Sequence, residues 1–223
     1  MMQQVINADF TQRVVIDAAN AGWQASPAPG VDRKPLDRIG GEVARATSIV
    51  RYAAGSLFDA HAHELGEEFL VLEGVFADEH GEYPAGTYVR NPPGSSHAPH
   101  SVDGCQIFVK LRQFDPGDRR RVVIDTRSAS WLPGVAPGLQ VLPLHEFAAE
   151  HVALVRWAPG TRFHAHRHWG GEEILVLEGT FSDEYGDHPA GTWLRNPHLS
   201  EHAPWSREGC LIYVKTGHLP PPA

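Results

Sequence analysis

Gly55-Ser-Leu-Phe-Asp-Ala-His61-Ala-His63-Glu-Leu-Gly-Glu67-Glu68-Phe-Leu-Val-Leu-Glu-Gly74 returns 105 residues later as Gly160-Thr-Arg-Phe-His-Ala-His166-Arg-His168-Trp-Gly-Gly-Glu172-Glu173-Ile-Leu-Val-Leu-Glu-Gly179. His97 recurs as His202 at the same offset, and about 37 of the 61 gapless positions from Val50–Lys110 to Val155–Lys215 are identical, the mark of an internal repeat. Each copy carries the same four chemically able side chains, three histidines and a glutamate. In a strand, residues i and i+2 share a face, so His61 and His63 point together, as do His166 and His168. The apolar run after each glutamate opens a neighbouring strand that returns the carboxylate to the same place. Three imidazoles and one carboxylate form a donor set for Zn, Fe, Mn or Ni.

The repeat extends upstream. Val14-Val-Ile-Asp17, Trp23, Pro29-Gly30 and Leu36 match Val122-Val-Ile-Asp125, Trp131, Pro137-Gly138 and Leu144 at an offset of 108. Copy one therefore runs over residues 5–113, copy two over 114–217, and a Pro-rich tail over 218–223 is expected to fray. The Pro-Gly-containing stretch from Gln113 to Arg121 reads as the linker. Phe69–Leu72, Ile174–Leu177, Ile107–Val109 and Ile212–Val214 are short β-branched, aromatic or leucine runs separated by Gly and Pro turns. The chain therefore reads as all-β, two tandem barrels or sandwiches of jelly-roll type. The stretch from Pro143 to His151 is the one weak helical candidate, or a loop.

The formal net charge of −8 offers no basic stripe for nucleic acid. No apolar run approaches membrane-spanning length and no signal segment is evident, so a cytoplasmic protein is expected. Cys105 and Cys210 occupy equivalent positions and read as small apolar strand residues rather than a disulfide. His80, His100, His145, His151, His188 and His218 fall in turns or outside the repeated motif and read as surface residues. His164, with Asp59 as its counterpart, has the parity of the ligands and reads as lining the barrel mouth. Glu68 and Glu173 alternate away from the ligands, toward a salt bridge with Arg90 or Arg195 on the outer face. Tyr52, Phe58, Phe69, Tyr88, Phe108, Trp157, Phe163, Trp193 and Tyr213 read mostly as core.

Gly55-(5)-His61-x-His63-(3)-Glu67-(6)-Gly74 resembles the first cupin motif, and Gly86-(5)-Pro92-x-Gly94-(2)-His97 resembles the second. Copy two departs in the second motif, with Leu199 where the turn glycine belongs. GEEFLVLEGVFADEHGEYPAGTYVRNPPGSSH and its counterpart in copy two are similar to the cupin domain of ChrR-type anti-sigma factors. That resemblance implies two RmlC-like jelly-roll barrels. It also implies metal ligands at His61, His63, Glu67 and His97, and at His166, His168, Glu172 and His202, with zinc, one ion per barrel. The family's sigma-binding His-(3)-Cys-(2)-Cys motif is not found in this sequence. The expected function is a small-molecule- or oxidant-responsive regulatory protein, with a partner in a sigma-factor pathway and self-association as its protein contacts. An iron-dependent dioxygenase acting on a small diketone is the enzymatic alternative, and a metal-stabilised interaction module the third.

Overall fold

The computed structural model describes residues 4–41 and 43–220. Every regular element among them is a strand. The chain forms two compact units, and each is built mostly from one copy of the repeat. The first unit comprises Gly22–Ala129 and the segment ending at Ala8; the second comprises Asp9–Ala21 and the chain from Ser130 onward.

In the first unit the antiparallel sheet runs Gln4–Ile6, Val31–Gly40, Ala44–Tyr52, Cys105–Leu111, Glu67–Asp78, Thr87–Asn91, Val122–Asp125. The second unit repeats the order as Leu132–Pro133, Leu139–Phe147, Glu150–Trp157, Cys210–Thr216, Glu172–Asp183, Thr192–Asn196, Val14–Asp17. The last strand in each order comes from the other copy of the repeat. Val122–Asp125 pairs with Thr87–Asn91, and Val14–Asp17 with Thr192–Asn196. The sequence copies divide at 113/114, whereas the folded units trade one strand each.

The long strands Glu67–Asp78 and Glu172–Asp183 each bend once, at Gly74 and Gly179 (φ +70° in both). The register against the neighbouring strand slips by one residue beside each glycine, a β-bulge that turns the strand across the barrel. Within the first barrel Tyr52, Phe69, Val71, Phe76, Tyr83, Val89, Ile107 and Val109 pack into one buried cluster. Trp157, Ile174, Val176, Phe181, Leu194 and Ile212 do so in the second. Cys105 and Cys210 are buried free thiols, as small core residues.

Several expectations are corrected. The helical candidate is a β-hairpin, Leu139–Phe147 returning as Glu150–Trp157 through Ala148 in the left-handed region. Strand pairing overrides the modest helix propensity of Glu-Phe-Ala-Ala-Glu there. The linker is packed: Asp118 is buried and bonded to Arg90 at 2.7 Å, and the Arg90 guanidinium lies 3.9 Å over the Phe114 ring. Glu68 does pair with Arg90, at 2.5 Å, but both are fully buried rather than on an exposed face. Leu219 is anchored by its amide to the Gly170 carbonyl and is buried, so the tail is held at least that far; residues 221–223 lie outside the described ones.

Candidate metal centres

The first centre is assembled from three elements of the first unit. His61–His63 and Ser95–His97 form a two-stranded ribbon whose register sets His61 opposite His97. His63 follows two residues on, on the same face. Glu67 opens the long strand, opposite Asn91. Ligand nitrogens of His61, His63 and His97 lie within 4.8 Å of one another. His63 Nε2 is 3.0 Å from His97 Nε2, and Glu67 Oε2 is 3.4 and 3.5 Å from these two atoms. In the second unit His166 pairs with His202, and His166, His168 and His202 form the same triad. Glu172 Oε2 stands 3.5 Å from His168 Nε2 and 3.7 Å from His202 Nε2.

These separations fit a shared ion. Two donors each roughly 2.1 Å from one metal stand about 3.0 Å apart at a right angle and about 3.4 Å apart at a tetrahedral angle. Among buried side-chain atoms, His168 Nε2 and His202 Nε2 have no hydrogen-bond partner. Buried imidazole nitrogens left in that state are costly unless something occupies the space they face.

The ring orientations are fixed from behind. His61 Nδ1 is 2.8 Å from the Asp59 carbonyl oxygen, and His166 Nδ1 is 3.0 Å from that of His164. A carbonyl only accepts, so each Nδ1 carries the proton and each Nε2 is left with its lone pair. His97 Nδ1 likewise faces the Asp78 carboxylate at 3.0 Å. Asn91 donates to Glu67 Oε2 at 3.1 Å and Asn196 to Glu172 Oε2 at 2.9 Å, holding the carboxylates toward the imidazoles. Such outer partners orient ligands and raise their basicity. Phe58 and Phe163 pack on His61 and His166 with ring centroids 5.0 and 4.8 Å away.

Burial, the largest influence, holds His63, His166 and His168 below the ordinary imidazole value, favouring the neutral, ligating form. Burial acts against protonating His97 and His202 too, but Asp78 and Glu67, and Asp183 and Glu172, outweigh it and raise both. Asp78 and Asp183 are held below the usual carboxylate range despite burial, by their bonds to histidine.

Asp78 and Asp183, Asn91 and Asn196 were not singled out by sequence reasoning. Their identity across the 105-residue offset was the available signal. His188 is a correction: it is buried, with Nε2 3.0 Å from Asp183 Oδ1. His145 is buried as well, and the side chain of His218 is buried 3.2 Å from Glu173. His164 is exposed and outside the ribbon strand, which spans His166–Arg167; its contribution is its backbone carbonyl. Leu199 keeps the turn that Gly94 makes in copy one. It adopts φ +63°, and its amide donates to the His168 carbonyl at 2.9 Å, as the Gly94 amide does to His63 at 2.8 Å.

Comparison with known proteins agrees with this architecture. The model of the ChrR cupin-like domain matches twice, over residues 11–115 and 119–220. No curated protein matches in sequence at a significant level. A Nostoc punctiforme protein provisionally described as a dioxygenase shares the fold with a TM-score of 0.76 at 15% identity, over 92% of this chain and 82% of that one. Protein Ylba of E. coli gives 0.74 at 14% identity, over 99% and 96%. The bacterial pirin YhhW of Escherichia coli, in complex with nickel(II), gives 0.67 at 15%, over 95% and 100%. No helix among the described residues is long and apolar enough to cross a membrane.

Proposed function

Because the chain belongs to the ChrR cupin-like family through both of its halves, we propose that it is a bicupin carrying one transition-metal ion per unit and serving as a small-molecule- or oxidant-responsive regulatory protein. His61, His63, Glu67 and His97 hold the ion in the first unit, and His166, His168, Glu172 and His202 in the second. The convergence of three imidazoles and a carboxylate, with two buried imidazole nitrogens otherwise unsatisfied, is the observation that supports this. Zinc suits the donor set, and iron, manganese and nickel suit it as well. A bound ion supplies Lewis acidity and exchangeable coordination positions for a small ligand. The chain's own residues orient the donors, and Phe58 and Phe163 pack against His61 and His166.

The regulatory reading is preferred to an enzymatic one because the acidic groups nearest the donors are already engaged. Glu67 and Glu172 accept from asparagine, and Asp78 and Asp183 each bond to a histidine. These four carboxylates are thus placed to orient donors rather than to take a proton from a substrate. The regulatory partner is proposed to belong to a sigma-factor pathway. The competing reading is a ferrous dioxygenase of a small diketone, since the same donor set leaves positions open for substrate and oxygen. Oxygen uptake separates the two. Protein with ferrous iron verified in both sites, offered a panel of small β-diketones, is expected to consume no oxygen above the zinc-loaded control. Sustained uptake by the iron form alone would establish the dioxygenase reading instead.

A further inference from the structure

The strand that each unit receives from the other copy of the repeat carries an arginine just before it, Arg13 ahead of Val14–Asp17 and Arg121 ahead of Val122–Asp125. In the second unit Arg13 Nη2 lies 2.8 Å from Asp183 Oδ2, and its Nε donates to Asn196 Oδ1 at 3.0 Å. Both partners stand directly behind the donor set. Asn196 donates to Glu172 at 2.9 Å, and Asp183 faces His202 Nδ1 at 3.7 Å. One guanidinium therefore holds both Asn196, which is bonded to Glu172, and Asp183, which stands behind His202 beyond hydrogen-bond distance.

We propose that Arg13 is a positioning residue for the second metal centre, delivered to it from the first copy of the repeat. The first centre is built differently. Arg121 Nη2 donates to the Tyr83 hydroxyl at 2.8 Å, and that hydroxyl donates to Asp78 Oδ1 at 3.1 Å, one link further from the donors. Asp78 then faces His97 Nδ1 directly at 3.0 Å. At the position equivalent to Tyr83 the second unit has His188, which takes Asp183 Oδ1 at 3.0 Å while Arg13 takes Oδ2. His202 Nδ1 is left without a hydrogen-bond partner among the described residues, while Asp183 is taken by His188, the Tyr185 amide and Arg13. The two centres are thus inequivalent, and the second is completed across the repeat.

This rests on the metal reading above, and the experiment keeps the two apart. Cobalt(II), then zinc(II), is titrated into the full-length chain against a competing chelator. The His61→Ala/His63→Ala background isolates the second centre. Arg13→Ala is expected to weaken that centre by about 10–100-fold, the usual effect of losing an outer-shell partner, and to shift its cobalt visible bands while leaving the first centre unchanged. Arg121→Ala is expected to weaken the first centre by no more than about threefold, since the relay through Tyr83 leaves the Asp78–His97 bond in place. Arg13→Ala added to Asn196→Ala should cost little beyond Asn196→Ala alone, because the arginine's hydrogen-bonded route to a donor runs through that asparagine. Arg13→Lys, which keeps the charge at Asp183 but not the bond to Asn196, should fall between wild type and Arg13→Ala, and it carries the test if the alanine variant does not fold. Second-centre affinity and spectrum unchanged in Arg13→Ala, equal losses at both centres, or losses that multiply with Asn196→Ala would overturn the proposal. A wild-type chain that takes up no cobalt would remove the metal reading, and the proposal with it.

Discussion

Gly74 and Gly179 close the first motif of each copy, and replacing either by alanine should be far more damaging than the same change at Gly55 or Gly160. All four have similar left-handed backbones, with φ of +70°, +70°, +72° and +77°. At Gly55 and Gly160 a new Cβ meets nothing within 4 Å. There the change costs only the left-handed penalty of roughly 1–2 kcal/mol, offset by about 0.4–1 kcal/mol from a less flexible unfolded chain, a net loss near 1 kcal/mol. At Gly74 the Cβ would sit 2.1 Å from the Gly104 carbonyl oxygen and 2.9 Å from Cys105 Cα, and at Gly179 2.1 Å from the Gly209 oxygen and 3.0 Å from Cys210 Cα. Both obstacles are backbone of the paired strand or the turn before it, so relief requires moving the ladder at the bulge by roughly 1 Å. Overpacking of that kind adds about 1–3 kcal/mol, bringing the total to about 2–4 kcal/mol. The assay is thermal and denaturant unfolding of the four variants, with the two units fitted as separate transitions where they resolve. For a unit of this size, 1 kcal/mol corresponds to about 4 °C in Tm, so Gly74→Ala should lower the first unit's thermal midpoint by about 8–16 °C and Gly55→Ala by about 4 °C. Losses at Gly74 and Gly55 that agree within about 0.5 kcal/mol would refute the steric argument and leave only the φ penalty common to both.

Elemental analysis should return two metal ions per wild-type chain, and His61→Ala/His63→Ala should remove one, because the two donor sets lie in separate units; a single ion in wild type would mark one copy as degenerate. Asp78→Asn should weaken the first centre by about 10–100-fold in a chelator competition, since an amide in its place can present its NH2 to His97 Nδ1 and reverse the ring's tautomer. Burial pushes the Cys210 thiol up to about 11, and Cys105 upward as well, so neither should react with iodoacetamide at pH 8 in the native protein, while both should label after unfolding. Leu199→Gly should change the second unit's stability by less than about 1 kcal/mol in denaturant unfolding, because relief of a left-handed leucine is offset by the lost packing of a side chain that is only 44% exposed.

The barrels and the convergence of three histidines and a glutamate in each were legible because strand periodicity and residue spacing are local properties, and the repeat states them twice. The second layer was harder to see. Asp78 is one aspartate in an acidic turn region, and only the fold of the Glu67–Asp78 strand brings it behind His97. His188 looked like a turn residue because Gly186 and Pro189 bracket it, yet strand pairing with Phe181 turns it inward to Asp183. The traded strand was not legible at all. Val-Val-Ile-Asp is identical at 14–17 and 122–125, so its propensity and pattern fit either barrel edge equally, and the choice is made by tertiary pairing. Arg13 and Arg121 were invisible for the same reason, being defined by the barrel that their strand joins.

The traded strand also bears on how such a chain can be divided or can have arisen. A half-length polypeptide ending near residue 113 would carry Val14–Asp17 without its barrel edge, and would leave Thr87–Asn91 without its outer neighbour. Because the two strands have the same sequence, two such halves can satisfy each other reciprocally, and the product is a domain-swapped homodimer that forms in proportion to concentration. Tandem duplication of that gene makes the exchange intramolecular, so the edge is filled at a fixed effective concentration however scarce the protein is. The cost is that the halves are no longer separable modules. Proteolysis or gene splitting between Gln113 and Arg121 should yield fragments that co-purify, each completed by a strand belonging to the other.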